Sequence, residues 1–357
     1  MSKIKVLQVI SRFSMGGAER LVFEYVNLIN KKQFEIYVAS VVEDGDLRVF
    51  LEEFSDGVFV GSLKKYKNRW RIWKEFKKYV NNLKPDVLHT HLLSSDFFGY
   101  LIKRKNKNIT WISSQHNVEN QTSWWRRKLW KIILKKADKV ICVSQKVKDY
   151  TCEGYGLPEE KKVIILNGIK LEKWVSVDTK NVLSADRLRL AAVGRLEKQK
   201  GHKYLLHALS KIDIPWELQF FGTGSLEKSL KKLAQKLKIN DRIAWRGVVQ
   251  GMIKEFDKID VVLQPSLWEG RSLVVMETMA SGRPVLASWQ AGEELIQNNE
   301  TGLVFNYEDT GEIVEKIKYI WENKDRAKEI GLTAREYALE NFDIKENMKE
   351  LEKLYKK

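Results

Sequence analysis

The feature that most restricts this chain is an alternation of strand-like and helix-like segments that runs through it twice. KVLQVI (5–10) reads as a buried strand, Gly16 and Gly17 close a loop, AERLVFEYVNLINKK carries apolar residues at helical spacing, and FEIYVAS (34–40) is a second strand. Together these make a βαβ unit. The pattern continues through a basic helix around 70–83, DVLHTH (86–91), a helix near 94–105, ITWISSQ (109–115), a helix near 124–136, KVICVS (139–144), a helix and turn over 145–160, and VIILNG (163–168). It begins again with RLRLAAVG (187–194), a helix from about 201, WELQFFG (216–222), a helix near 225–237, IAWRG (243–247), a short helix near 251–257 and VVLQPS (261–266). Such alternation implies a parallel sheet with helices on both faces, because parallel neighbours can only be joined by a crossover. At 357 residues the chain is too long for one comfortable core. The expectation is α/β with two doubly wound domains, 1–168 and 169–337, and an amphipathic helix over 338–357 that returns to the first domain.

Several classes are set aside by composition. The opening MSKIKVLQVI holds an apolar run too short for a signal peptide, and no window reaches the roughly 18 apolar residues of a spanning helix. The expected location is the cytoplasm, with any membrane contact peripheral. Cys142 and Cys152 are the only cysteines, which make neither a disulfide framework nor a metal-ligand set. The net charge of +16 is uneven: 31 Lys and Arg face 18 Asp and Glu up to residue 168, and 32 face 29 beyond it. An anionic partner for the first half follows: a membrane surface, a lipid phosphate or a nucleic acid.

Ligands of open parallel sheets bind beyond the carboxyl ends of the strands. Four such ends carry unusual residues: SRFSMGGAER, SSQHN, VGRLEKQKG and PSLWEGRSLVVMETMASGRPVLAS. In the last, Glu269 lies in a loop, Gly270 lets the chain turn, and Glu277 follows on a helix whose first N–H groups, over residues 271–274, suit a diphosphate or sugar hydroxyls. The two carboxylates could hold a ribose and a hexose; a helix-entry acid and a solvated helix residue would give the same spacing. Arg195 and Lys200, at a strand end beside a new helix, suit a departing diphosphate, although Lys198 and Lys200 also read as surface lysines. Gly16 and Gly17 would let the backbone approach a ligand or simply turn the chain. His116, past ITWISSQ, could contact a donor hydroxyl, whereas His89, His91 and His202 read as structural.

Taken in order, GGAER, DVLHTH, the histidine after SSQ, DKVICVS, VIILNGI, VGRLEKQKG, FFGTGSLE, WRGVV, the Glu269–Glu277 segment and TGLVF resemble the retaining glycosyltransferases of the two-Rossmann GT-B fold with a Glu-x7-Glu motif, glycosyltransferase family 4. The resemblance spans essentially the whole chain. It implies two domains facing across a cleft, the first for the acceptor and the second for the nucleotide sugar. Glu277 would bind the ribose, Glu269 would lie against the donor sugar, Arg195 and Lys200 would grip the diphosphate, Gly17 with Gly16 would close on the donor, and His116 would stand beside the reacting sugar. Val248, Gly270, Arg271, Ser272, Leu273 and Val274 complete the implied donor site. Transfer with retention and without a divalent metal is implied, a UDP-sugar ahead of a GDP-sugar, moving a hexose or N-acetylhexosamine to a glycan or lipid-linked acceptor in cell-surface polysaccharide, lipopolysaccharide or glycolipid synthesis. Arg271 and Ser272 depart from the family's usual residues, as do Lys170 and the turn Trp289–Glu293, which bears on the identity of the sugar.

Two segments of the basic half interleave cations with aromatics: KKYKNRWRIWKEFKKY (64–79) and WWRRKLWKIILKK (124–136). In the second, Trp125, Leu129, Ile132 and Ile133 share a helical face, which suits a helix lying in an anionic membrane interface or one packed on the sheet. Rival readings are a nucleotide-sugar epimerase on the same fold, a nucleic-acid-binding protein and a non-catalytic partner-binding subunit; no nucleic acid is expected.

Overall fold

The computed structural model describes residues 2–14, 16–118, 124–180, 182–249 and 251–356, the side chains of 152 and 153 excepted. The chain divides into two compact units, one running up to Asn167 and resuming at Lys345, the other Gly168–Ile344. Each unit is built on one wholly parallel sheet.

The first unit has seven strands: β1 (Ile4–Arg12), β2 (Phe34–Glu43), β3 (Gly57–Val60), β4 (Val87–His91), β5 (Thr110–Gln115), β6 (Lys139–Cys142) and β7 (Lys162–Ile164), in the order β3-β2-β1-β4-β5-β6-β7. The second has six: β8 (Leu188–Val193), β9 (Trp216–Phe221), β10 (Ile243–Gly247), β11 (Val261–Gln264), β12 (Val285–Ser288) and β13 (Leu303–Phe305), in the order β10-β9-β8-β11-β12-β13. Both are doubly wound, as the alternation implied. The sequence reading missed β3, β12, β13 and the helix Leu47–Phe54. GVFV, VLAS and LVF are runs of three or four residues, too short for a period to distinguish strand from helix.

One device recurs at the amino ends of the strands. Asp56, Asp86, Asp138 and Asp260 each stand just before a strand and accept an N–H from the second or third residue of its neighbour: Ile36 (2.7 Å), Lys5 (2.8 Å), Trp111 (2.7 Å) and Arg189 (2.9 Å). Asp260 is fully buried and also receives the Arg189 guanidinium at 2.6 and 3.0 Å and the N–H of Leu183 at 2.7 Å. Removing one partner of such a buried pair costs roughly 3–5 kcal/mol. These carboxylates fasten the amino edge of each sheet and leave ligand chemistry to the carboxyl edge.

The strand interiors are apolar, with Val6, Leu7, Val9, Leu88, Trp111 and Ile112 at or below 2% exposure. Polar residues break this pattern in β1, β4 and β5, where Gln8, His89, Thr90, His91, Ser113 and Ser114 are also buried. A polar group in such a place must be hydrogen-bonded, and the partners of these six define a candidate site in this unit.

Candidate active site

The strand order of the second unit reverses direction at β8/β11. At such a switch point the connecting loops part to opposite faces and open a crevice at the carboxyl edge. The loops after β8 and β11 clasp each other there: Leu267 N–H donates to the Gln199 carbonyl (2.7 Å), and Gln199 Nε2 donates to the Trp268 carbonyl (2.9 Å). Gly201 permits the approach. Its φ is +65°, and a β-carbon there would overlap the Pro265 carbonyl oxygen, so only glycine fits.

The clasp brings Lys200 Nζ to 2.5 Å from Glu269 Oε1, with both side chains mostly buried. Ser266 Oγ donates to the same oxygen at 2.8 Å. The Gln264 amide, oriented to satisfy both its ends, donates to the Val193 carbonyl (3.2 Å) and accepts from Lys200 (3.1 Å). A cation and a carboxylate are thereby held rigidly at the mouth of the switch point. Arg195, two residues past β8, is exposed. Gly270 precedes the helix Leu273–Ala280, whose cap Ser272 accepts from Val275 N–H (3.4 Å). The first-turn N–H groups of Leu273 and Val274 have no partner within the helix. Glu277 lies one turn further on and is buried. Val248, after β10, is 61% exposed. The Arg271 guanidinium lies 3.9 Å from Glu294 and over the Phe342 ring, and burial lowers its pKa.

In the first unit the switch point is β1/β4. Gly16 caps the helix Gly17–Leu28 in extended conformation, and the Glu19 carboxylate lies against it. His91 ends β4, and His116 follows β5 by one residue. The chain after His91 is held out of its preferred region, with Leu92 at φ +67°, a conformation that costs a bulky residue about 1–3 kcal/mol. His91 Nδ1 lies 2.8 Å from His116 Nε2, and the two rings stack at 5.1 Å. From His91 the bonds continue to Gln8 Oε1 (2.6 Å), from Gln8 Nε2 to the Tyr355 hydroxyl (2.7 Å), to His89 Nδ1 (2.6 Å) and to Ser114 Oγ (2.7 Å). Burial holds His116 down to about 4, His89 down to about 3 and His91 well below its ordinary value, so all three are neutral at pH 7. Beside them Asp96 accepts from Thr90, Ser113 and Gln115 at 2.6–2.9 Å. Burial raises its pKa to about 6 against the pull of those bonds. Leu92, Leu93, Gln115, His116, Asn117 and Thr151 line a small recess at this edge.

Sequence reasoning set His89 and His91 aside as structural; the structure makes His91 the direct support of His116. The available signal was a glutamine and two histidines in strands whose other buried residues are mainly Val, Leu and Ile.

The two basic aromatic segments part company. In the helix Arg69–Leu83, Ile72, Trp73, Phe76 and Val80 are buried, so that segment packs on the sheet with only Trp70 among its tryptophans outward. In the helix Trp124–Leu134, Ile133 and Leu134 go into the core, while Trp124 (76%), Trp125 (53%), Leu129 (38%) and Ile132 (52%) face solvent. Ile133 therefore does not share the outer face expected for it; it is buried, as is Leu134. Among the described residues no helix is long and apolar enough to cross a membrane.

Residues 15–173 match the model of Glycosyltransferase Family 4, and residues 177–337 that of Glycosyl transferases group 1. The chain is 25% identical, over 90% of its length and 89% of the relative's, to the UDP-Gal:alpha-D-GlcNAc-diphosphoundecaprenol alpha-1,3-galactosyltransferase of Escherichia coli. It is 24% identical, over 86% of its length and 87% of the relative's, to the N-acetylgalactosamine-N,N'-diacetylbacillosaminyl-diphospho-undecaprenol 4-alpha-N-acetylgalactosaminyltransferase of Campylobacter jejuni. Its fold is similar to that of Anabaena Alr3699/HepE, solved in complex with UDP and glucose, at a TM-score of 0.87 and 18% identity over 98% of this chain and 99% of that one.

Proposed function

Because the chain belongs to the GT-B glycosyltransferases of family 4 and group 1, we propose that it moves a hexose or N-acetylhexosamine from a UDP-sugar to a lipid-linked acceptor, with retention and without a divalent metal. The observation that carries this reading is the Lys200–Glu269 pair clasped at the β8/β11 switch point beside the first turn of the helix Leu273–Ala280. As the bond from the sugar's anomeric carbon to the diphosphate breaks, charge gathers on the departing phosphate oxygen. Lys200, Arg195 and the N–H groups of Leu273 and Val274 are placed to stabilise that charge, which is where a metal would otherwise serve. Glu277 accepts from the ribose hydroxyls, Glu269 from those of the sugar, and Val248 packs against the base. The acceptor hydroxyl attacks on the face the phosphate leaves, and its proton passes to the phosphate oxygen. No protein nucleophile is required.

Both named relatives build alpha linkages, the configuration UDP-hexoses carry, and both act on sugars joined to diphosphoundecaprenol. The outward stripe of Trp124, Trp125, Leu129 and Ile132, among Arg126, Arg127, Lys128 and Lys131, suits a helix lying at headgroup depth. Such contact would hold the enzyme peripherally on the cytoplasmic face of a membrane. The test is transfer from a panel of UDP- and GDP-sugars to short-chain lipid-diphosphate sugars in EDTA, with the product's anomeric configuration read by NMR. An alpha product from a UDP-sugar is expected. An inverted product, dependence on added metal, or turnover of the donor without acceptor would overturn the reading, the last in favour of an epimerase. Trp125→Ser with Ile132→Ser is expected to release the protein from anionic vesicles while leaving transfer to a soluble acceptor intact.

A further inference from the structure

The six hydrogen-bonded groups from His116 to Ser114 form one chain, and its polarity can be worked out. The Gln8 amide donates to Tyr355 and accepts from His91, so His91 carries its proton on Nε2 and offers a bare Nδ1. His116 must then donate from Nε2 to reach it, and its own Nδ1 is left as a lone pair. That Nδ1 is buried and has no hydrogen-bond partner. At the other end the Tyr355 hydroxyl, having accepted from Gln8, donates to His89 Nδ1, and His89 Nε2–H donates to Ser114. Every link runs in one direction. The reverse arrangement needs Gln8 turned over and leaves a buried N–H on His116 with no acceptor, and orphaned N–H groups are rarer in folded proteins than orphaned acceptors.

We infer that Tyr355, through Gln8 and His91, is a positioning residue that fixes the tautomer of His116, so that Nδ1 presents an acceptor to a hydroxyl of a sugar bound at this edge and would disfavour a partner that can only accept. The inference rests on the proposed glycosyl transfer and on the place beside a sugar that the family resemblance implies for His116, and it adds the sense of the hydrogen bond and the residues that set it. Tyr355 belongs to the helix Ile344–Tyr355, more than two hundred residues from His116 in sequence. Its ring packs edge-on against Phe34 (5.9 Å) and His89 (5.7 Å), contacts that phenylalanine would keep. Without the hydroxyl, Gln8 in its present orientation would bury an orphan N–H. Turning the amide over puts its carbonyl in that place and reverses His91 and His116, which moves the unpaired N–H to Nδ1 of His116, a residue that lines the recess.

The test is two-bond 1H–15N spectroscopy of the five histidines in the full chain, with kcat and UDP affinity measured on the same samples. In the wild type, His116 should show a protonated Nε2 and an unprotonated Nδ1. Tyr355→Phe should exchange the two and lower kcat roughly tenfold, the loss of about one hydrogen bond in the transition state, with UDP affinity unchanged. Phe34→Leu, which removes the ring contact and no hydrogen bond, should lower the melting temperature and leave the tautomers alone. An unchanged His116 tautomer in Tyr355→Phe overturns the inference, as does the same exchange in Phe34→Leu. An exchanged tautomer with unchanged kcat upholds the relay and refutes the placing of His116 against the sugar.

Discussion

The two domains have the same winding, and at the same topological place they carry opposite chemistry. Where β8 meets β11, the second domain holds a buried ion pair, Lys200–Glu269, with a helix start and the exposed Arg195 nearby. Where β1 meets β4, the first holds histidines that burial keeps neutral, joined through Gln8 and Tyr355. A doubly wound sheet supplies a crevice at its switch point whatever lines it. Charge suits a leaving diphosphate, and neutral groups of fixed polarity suit hydroxyls. The division predicts that variants of the second domain change donor binding and the departure of UDP, and that variants of the first change turnover while UDP affinity stays put.

The largest effect should come from Lys200→Ala. It removes a cation from the developing phosphate charge and strands Glu269 in a buried site, so kcat should fall roughly 100- to 1000-fold in a steady-state assay with saturating donor. A fall of similar size in a first-domain variant such as His91→Ala, accompanied by lost UDP affinity, would break the division. Glu277→Ala comes next: loss of charged hydrogen bonds worth about 1.5–3 kcal/mol should raise the donor KM roughly 10- to 100-fold with a smaller change in kcat. The smallest effect concerns acid stability. Below about pH 6.5 the unfolded histidines take up protons that the buried ones refuse, so stability falls with pH by up to about 1.4 kcal/mol per pH unit for each. His89, His91 and His116 act this way in the first domain, with the raised Asp96 opposing them below about pH 6; His202, held to about 3 by burial, acts alone in the second. Between pH 6 and 5 the first domain should therefore lose stability about twice as steeply, measurable as amide exchange resolved by peptide. Equal slopes in the two domains would contradict the neutral-histidine picture.

Much of this was legible in the residues. Long apolar strands alternating with amphipathic helices gave both sheets, and glycines and charged residues at strand ends pointed to the carboxyl edges. Short strands such as GVFV and LVF carried no usable period. The Lys200–Glu269 contact could not be read either, because it joins residues 69 apart in sequence on two loops clasped through Gly201. The relay was harder still: its parts come from β1, β4, β5 and the last helix, and each alone looks like a satisfied core residue. Ile133 shows the converse limit. Helical spacing placed it with Trp125 and Leu129, but a face some 100° wide has edges, and which edge meets the sheet is decided by packing.

The central claim is that the second domain grips a uridine diphosphate with protein cations and a helix end. Melting temperatures with UDP, GDP and ADP in EDTA, on wild type and on Arg195→Ala with Glu277→Ala, test it most directly. The account predicts that UDP alone raises the wild-type transition and that the paired substitutions abolish the rise. A shift that appears only when magnesium or manganese is added, or one that survives both substitutions, would contradict it.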